Sequence, residues 1–428
     1  MISNLKFPLP YACSKSRSWF ILCLASTALI CNAASADDGL RVGGFGSLGY
    51  ANDDRSDLSP NRDLSQQAKN GAATGASWRL DSRLGIQLEY GVNSSMDLVG
   101  QFVVRDQFKA DVDSATELLY LSFRPQSQLD VRIGRINFDA FLMSDHRNVG
   151  YAYSWVRPPS EFYAWIPIFS MDGIDAAYNL RSEDVRWRIK AQAGSSSVLL
   201  PIVNGYQFKA QNMFGMSLTR QTASWRLKAS YTQLKVGSDV PAFAPLHQGL
   251  DFVVAASIPA VSAEAADLIS NLSYKNAKIK YTTLGATFDD DVWLAQAEIA
   301  HTATSAEAIP HGEVGYLSVG RRINDWTPYI LLSTSRPKNK VRVAASNWGS
   351  FNSSLRDPAI FSVNQTRIEQ RSLSIGTRYD FANQMAVKLQ WTQSVIQAFG
   401  YALWWTEPRL SDKTTRVKQV SATFDFTY

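Results

Sequence analysis

The chain has 428 residues, 45% of them apolar, with 43 Lys and Arg against 38 Asp and Glu for a formal charge of +5. So small an excess excludes the basic character of a nucleic-acid binder. The three cysteines (Cys13, Cys23, Cys31) fall near the start, so no disulfide or thiol site is expected after them.

In chain order, Lys6, Lys15 and Arg17 precede the apolar run WFILCLASTALIC, and Ala34-Ser35-Ala36 follows as a small-x-small cleavage site. This order predicts a secretory signal peptide over 1–36, with the mature chain starting at Asp37. Its removal takes away three cations and no acid, so +5 becomes +2, and leaves no cysteine. Neither Cys23, after Leu22, nor Cys31, after Ile30, suits lipid attachment. Beyond residue 36 the longest apolar run is FVVAASIPAV, too short for a spanning helix.

GFGSLG (Gly44 to Gly49) is a literal G-x-G-x-x-G, but YANDDRSDLSPNRD follows it with loop composition rather than a helix. A dinucleotide site needs strand, turn and helix together. The glycines are expected to thin a first strand.

From Trp78 to Tyr90, Trp78, Leu80, Leu84, Ile86, Leu88 and Tyr90 alternate with Arg79, Asp81, Arg83, Gln87 and Glu89. Period two predicts a strand. Twelve steps of ~3.3 Å at ~45° tilt give roughly 28 Å, close to the apolar band of a membrane barrel. VRWRIKAQA, WRLKASY and RSLSIGTRYDF repeat the alternation with Arg and Lys on the polar face. A soluble core would exclude those charges, whereas a water-filled lumen accepts them.

Tight turns near 91–95, 125–128, 181–184, 289–291, 323–325 and 382–384 alternate with long segments near 51–76, 137–168, 195–211, 235–278, 301–312, 336–368 and 394–413. The expected fold is all-β: a transmembrane antiparallel β-barrel of about sixteen strands, with eighteen as the alternative, over 37–428. Short turns then face the periplasm and long loops the outside of a Gram-negative outer membrane. VSATFDFTY ends the chain in strict alternation, so Val420, Ala422, Phe424, Phe426 and Tyr428 are expected to face lipid on the strand that closes the barrel.

The third long loop, INFDAFLMSDHRNVGYAYSWVRPPSEFYAWIP, is rich in aromatic residues, and PPSEFY (Pro158 to Tyr163) lies within it. In place and content it resembles the constriction loop of the bacterial outer-membrane porin superfamily, which often carries Pro-Glu-Phe-Gly there. The aromatic last strand resembles that superfamily's assembly signal, with Tyr428 where Phe is usual. The resemblance covers the whole chain after residue 36. It implies a passive pore, a homotrimer, recognition of the last strand by the barrel-assembly machinery, and folding of 137–168 into the lumen as a constriction.

Arg79, Arg83, Arg105 and Arg132, on polar strand faces, would then confront Asp139, Asp145, Arg147 and Glu161 of the loop. Such walls set ion preference because permeating ions shed hydration there, and the basic side suggests mild anion preference. The segment 240–275 contains the helix-like SAEAADLISNL; it would cap the outer mouth, fold inward, or form an outer contact. The four histidines, His146, His247, His301 and His311, fit no metal-ligand spacing, and G-x-S-x-G is absent. No enzyme activity, cofactor or metal is expected. The rival reading is a closed barrel that binds or adheres through its large outer loops.

Overall fold

A computed structural model of the protein describes residues 39–55, 57–66, 76–201, 205–406 and 412–428. The expected signal peptide and its cleavage site lie outside the described residues. Alternation of apolar and polar side chains produces sixteen long antiparallel strands: β1 (Leu40–Asp53), β2 (Arg83–Asn93), β3 (Met96–Arg105), β4 (Thr116–Gln126), β5 (Leu129–Asn137), β6 (Ser170–Ser182), β7 (Val185–Leu200), β8 (Tyr206–Gln221), β9 (Trp225–Val236), β10 (Lys278–Asp289), β11 (Trp293–Thr304), β12 (Gly312–Arg321), β13 (Trp326–Pro337), β14 (Ile368–Ala382), β15 (Met385–Tyr401) and β16 (Thr415–Thr427). Each pairs with its neighbours, and β16 pairs with β1, for example Leu48 with Phe424. The sheet therefore has no open edge among these strands, as a wall in lipid requires. The two-residue Ala76–Ser77 pairs beside β1, and Leu58–Pro60 pairs with Trp404–Thr406 above the wall.

Outward side chains form an apolar band. On β13 Ile330 and Leu332 are exposed while Tyr329, Leu331, Ser333 and Ser335 between and beside them are buried inside. Near the short turns, Trp225 meets Phe288 at 4.9 Å and Trp326 stacks on Tyr379 at 4.4 Å. These pairs form the aromatic girdle of one membrane face. Glu183, Asp291, Asn324 and Gln384 adopt positive φ in those turns, where the hairpin twist calls for left-handed backbone. On β16, Val420, Ala422, Phe424 and Phe426 point outward, and Tyr428 exchanges backbone hydrogen bonds of 3.1 and 3.0 Å with Gly44.

Three expectations need correction. The strand expected from Trp78 begins at Arg83: the Ser82 hydroxyl bonds Trp78 O at 2.5 Å and accepts from Gly49 N, turning the chain before the wall starts. Leu80 and Asp81 are consequently buried rather than alternating across the wall. The stretches 195–211 and 394–413, expected as long loops, are largely strand, because β7 and β8 stay paired up to Leu200 and Tyr206 and β15 runs to Tyr401. The segment 240–275 folds as two helices, Ala244–Ala255 and Pro259–Leu272, at the long-loop mouth. Their buried Leu250, Val253, Leu268 and Leu272 join one apolar core with Trp348 and Val363 of the β13–β14 loop. Glu264 of the second helix ties that loop down through Ala345 N, Ser346 N and Trp348 Nε1.

Candidate pore and the loop that crosses it

The loop from β5 to β6, residues 138–169, lies across the barrel interior and touches the wall in sequence. Asp139 accepts from the Lys228 ammonium on β9 and from Ser217 on β8, with Lys190 of β7 at 3.6 Å. Ala140 O accepts from Ser230 and Thr283, on β9 and β10. Leu142 N donates to Glu298 of β11 at 2.8 Å. Farther on, Gly150 O and Trp155 O accept from Lys388 of β15 at 2.6 and 2.9 Å, and Lys388 pairs with Asp425 of β16. Tyr153 OH bonds the Arg83 guanidinium of β2, and Trp155 Nε1 donates to Ser318 of β12.

Arg157 closes the path. It donates two hydrogen bonds, 2.9 and 2.6 Å, to Asp81, and reaches Gln419 and Ser421 of β16. The one-turn helix Ser160–Tyr163 then aims Glu161 at Ser333, Gln370 and Ser372 of β13 and β14. Tyr163 OH bonds Glu298. Phe141, Trp155, Phe162 and Trp165 fill the space between as a buried aromatic cluster.

Burial alone would push the Asp139 carboxyl up, but the Lys228 and Lys190 ammoniums outweigh it and hold the group well below the usual carboxylate range. Burial pushes the Tyr153 phenol up to about 12, with Arg83 opposing. It pulls Arg147 down to about 10, Asp63 opposing and Arg105 adding to the drop, so Arg147 stays charged at neutral pH. The Arg147 and Arg105 guanidiniums sit 3.4 and 4.0 Å from the centre of the Phe169 ring, a cation–π contact that helps offset their mutual repulsion.

Gly150 has no room for a side chain, since a Cβ there would run into the Asp425 carboxylate and the Ser47 hydroxyl. Gly150→Ala is expected to lower the urea midpoint of the folded barrel by an overpacking cost of ~1–3 kcal/mol. An unchanged midpoint would mean that the loop is not seated there.

The sequence-derived residues separate into groups. Arg83, Asp139 and Glu161 lie where loop meets wall. Arg105 pairs with Glu117 at 2.7 Å and Arg132 with Asp175 at 2.6 Å, both on the inner wall. Asp145 is exposed and accepts from Asn137 at 2.6 Å; it does not meet the wall arginines directly. Arg79 does not reach the interior: it stands before β2, mostly exposed, paired with Asp106. Sequence reasoning missed Asp81, Lys190, Lys228, Glu298, Lys388 and Asp425. Five of these occupy inward positions of alternating strands, and that alternation was their signal.

The interior is asymmetric. Along β8–β16 the inward Ser217, Thr283, Glu298, Ser333 and Lys388 are buried under the loop. Along β3–β7 two inward arginines stay wet, Arg124 at 47% exposed and Arg188 at 41%, beside Asp97 and Asp130 respectively, while Glu117, Asp175 and Lys190 are buried. A cavity of about 20 Å³ between loop and wall, lined by Glu117, Asn137, Asp145, Arg147 and Asn148, has room for about one water.

No family model matches the sequence, and no curated protein matches it. Solved structures do. OmpF of Salmonella typhi, solved in complex with daunomycin, superposes with a TM-score of 0.51 at 12% identity, covering 92% of this chain and 99% of that one. The anion-selective porin of Comamonas acidovorans gives 0.51 at 9% identity, covering 91% and 99%. Identities so low speak for fold alone. A closed sixteen-stranded wall, a loop after β5 lying across the interior, and superposition over nearly the whole of two porins together show that this chain has the fold of the porin-type β-barrels.

Proposed function

We propose that the chain is an outer-membrane porin that lets small hydrophilic solutes diffuse passively between the crossing loop and the inner wall of β3–β7. The observation carrying this reading is the pair of wet inward arginines on that wall, Arg124 and Arg188, against the dry packing of β8–β16. A solute moving along it meets fixed guanidiniums and carboxylates that replace part of its hydration. Because Arg124, Arg132 and Arg188 each stand beside a carboxylate, ion preference is weak. The loop, residues 138–169, sets the size limit. Homotrimeric assembly, and insertion by the barrel-assembly machinery through β16, belong to the same reading.

Single-channel recording of the refolded protein under a salt gradient tests it. Asp145→Asn is expected to move the reversal potential toward anion preference and Arg188→Gln toward cation preference, with stepwise conductance in both. A silent bilayer from folded protein would overturn the open pore and make the outer loops a binding surface.

A further inference from the structure

Behind the crossing loop, away from the wet arginines of β4 and β7, the inner faces of β13–β16 carry a grid of hydroxyls and amides. Inward parity and register set it. Ser333, Ser372 and Ser394 stand opposite one another across β13, β14 and β15, and in the adjacent inward row Ser374, Thr392 and Gln419 do the same across β14, β15 and β16. Pro158, Pro159 and Glu161 of the loop cover this grid without filling it. A cavity of about 50 Å³ remains between them, room for about four waters at ~10–15 Å³ each. Pro60, Asn61 and Trp404, all half-buried, form its end toward the long loops, where Leu58–Pro60 pairs with Trp404–Thr406.

The charges at this cavity are already neutralised. Glu161 accepts from Ser333, Gln370 and Ser372. Arg157 is paired with Asp81 and also reaches Gln419 Oε1 and Ser421. An entering ion would leave its hydration behind and meet no free counter-charge, so the cavity disfavours ions. Hydrogen-bonding capacity is left over. Gln419 is 6% exposed, and its Nε2 has no partner among the described residues, a deficit that a ligand oxygen would relieve. Ser394 has one hydrogen-bond partner, Ser372, out of the three that a hydroxyl can hold. Facing the grid are Pro158, Pro159, Leu403 and the Trp404 ring, whose Nε1 is fixed on Gln370 Oε1 at 2.7 Å. One wall therefore offers hydroxyls and amides, and the other offers C–H and ring surface.

We infer that this cavity binds the terminal diol of a small uncharged polyol, which enters from the long-loop side and hydrogen-bonds Gln419 Nε2, Thr392 and Ser394. The two carbons and two oxygens of such a group match the space of about four waters. The occupant would bridge residues 158–161 of the loop to β15 and β16, bracing the loop from behind and off the path proposed for solutes. The inference needs an accessible long-loop mouth, but not an open pore.

Saturation-transfer NMR on the full refolded barrel tests it, with glycerol as probe and propan-1-ol and glycolate as comparators. The wild type is expected to give a glycerol signal that saturates in the millimolar range, as suits so few contacting atoms, with neither comparator displacing it at equal concentration. Thr392→Val/Ser394→Ala removes two hydroxyls without adding volume and is expected to weaken binding roughly tenfold. Ser374→Met fills the cavity and is expected to abolish the signal; should it fail to fold, the double variant carries the test alone. A glycerol signal that rises linearly without saturating, or that is unchanged in the folded variants, would overturn the inference and leave the cavity to water. Displacement by glycolate would overturn it in favour of an anion site. Saturable glycerol binding with silent bilayers would leave the cavity standing and remove only the pore.

Discussion

Arg157→Ala is expected to destabilise the folded barrel by ~3–5 kcal/mol, because Asp81, wholly buried, loses its only ion-pair partner among the described residues and is left as an uncompensated charge. The same change strips hydrogen bonds from Gln419 and Ser421 and frees the chain before Pro158 from β16. Urea unfolding followed by the shift of the folded band on gels measures the first effect. Single-channel records measure the second, with noisier and larger conductance steps as the loop swings away from the wall. Arg157→Lys should recover only part of either, since one ammonium cannot reproduce the two parallel bonds of the guanidinium. Wild-type stability and quiet steps in Arg157→Ala would show that this contact does not hold the loop.

The second large effect is at Asp139. In the wild type its carboxyl lies well below the ordinary carboxylate range, held there against burial by Lys228 and Lys190. Its stabilising contribution is therefore present above the unfolded-state value, ~3.9 for Asp, and is lost only as pH falls through the lower folded value. Lys228→Met removes the bonded ammonium and leaves Lys190 at 3.6 Å. Burial then wins the contest and the carboxyl rises above its unfolded-state value. The variant is expected to be weaker by ~3–5 kcal/mol at neutral pH and to recover stability on acidification, as the buried carboxylate takes up a proton, where the wild type stays flat. Parallel unfolding curves for both proteins across pH 4–7 would refute the latch.

Much of the barrel was legible because its determinants are local and periodic. In VRWRIKAQA the outward Ile189 and inward Lys190 and Gln192 follow from parity alone, and parity does not depend on what the strand meets. Loop endings were read less well. The stretch 195–211 holds Ser195 to Ser197, Pro201 and Gly205, residues that read as loop, so composition could not separate free loop from a wall extending into water. Arg79 was misplaced for the same reason in reverse: WRLDS alternates as a strand would, yet the Ser82 hydroxyl takes the backbone partners a ladder would use. The site itself is a set of encounters between residues up to 378 positions apart, such as Ser47 with Asp425, and no periodicity encodes which inward residue meets which loop atom.

The cramped seat of Gly150 has a consequence for biogenesis. Two of its walls, Ser47 and Asp425, belong to the first and last strands, so the seat exists only after the seam between them has shut. A chain still waiting for its final hairpin carries the crossing loop undocked and cuttable, and long-range closure of this kind is the slow event in folding. Docking at residue 150 thus acts as a timestamp: a protease-resistant loop reports a completed circumference, and a clipped one reports an unfinished barrel.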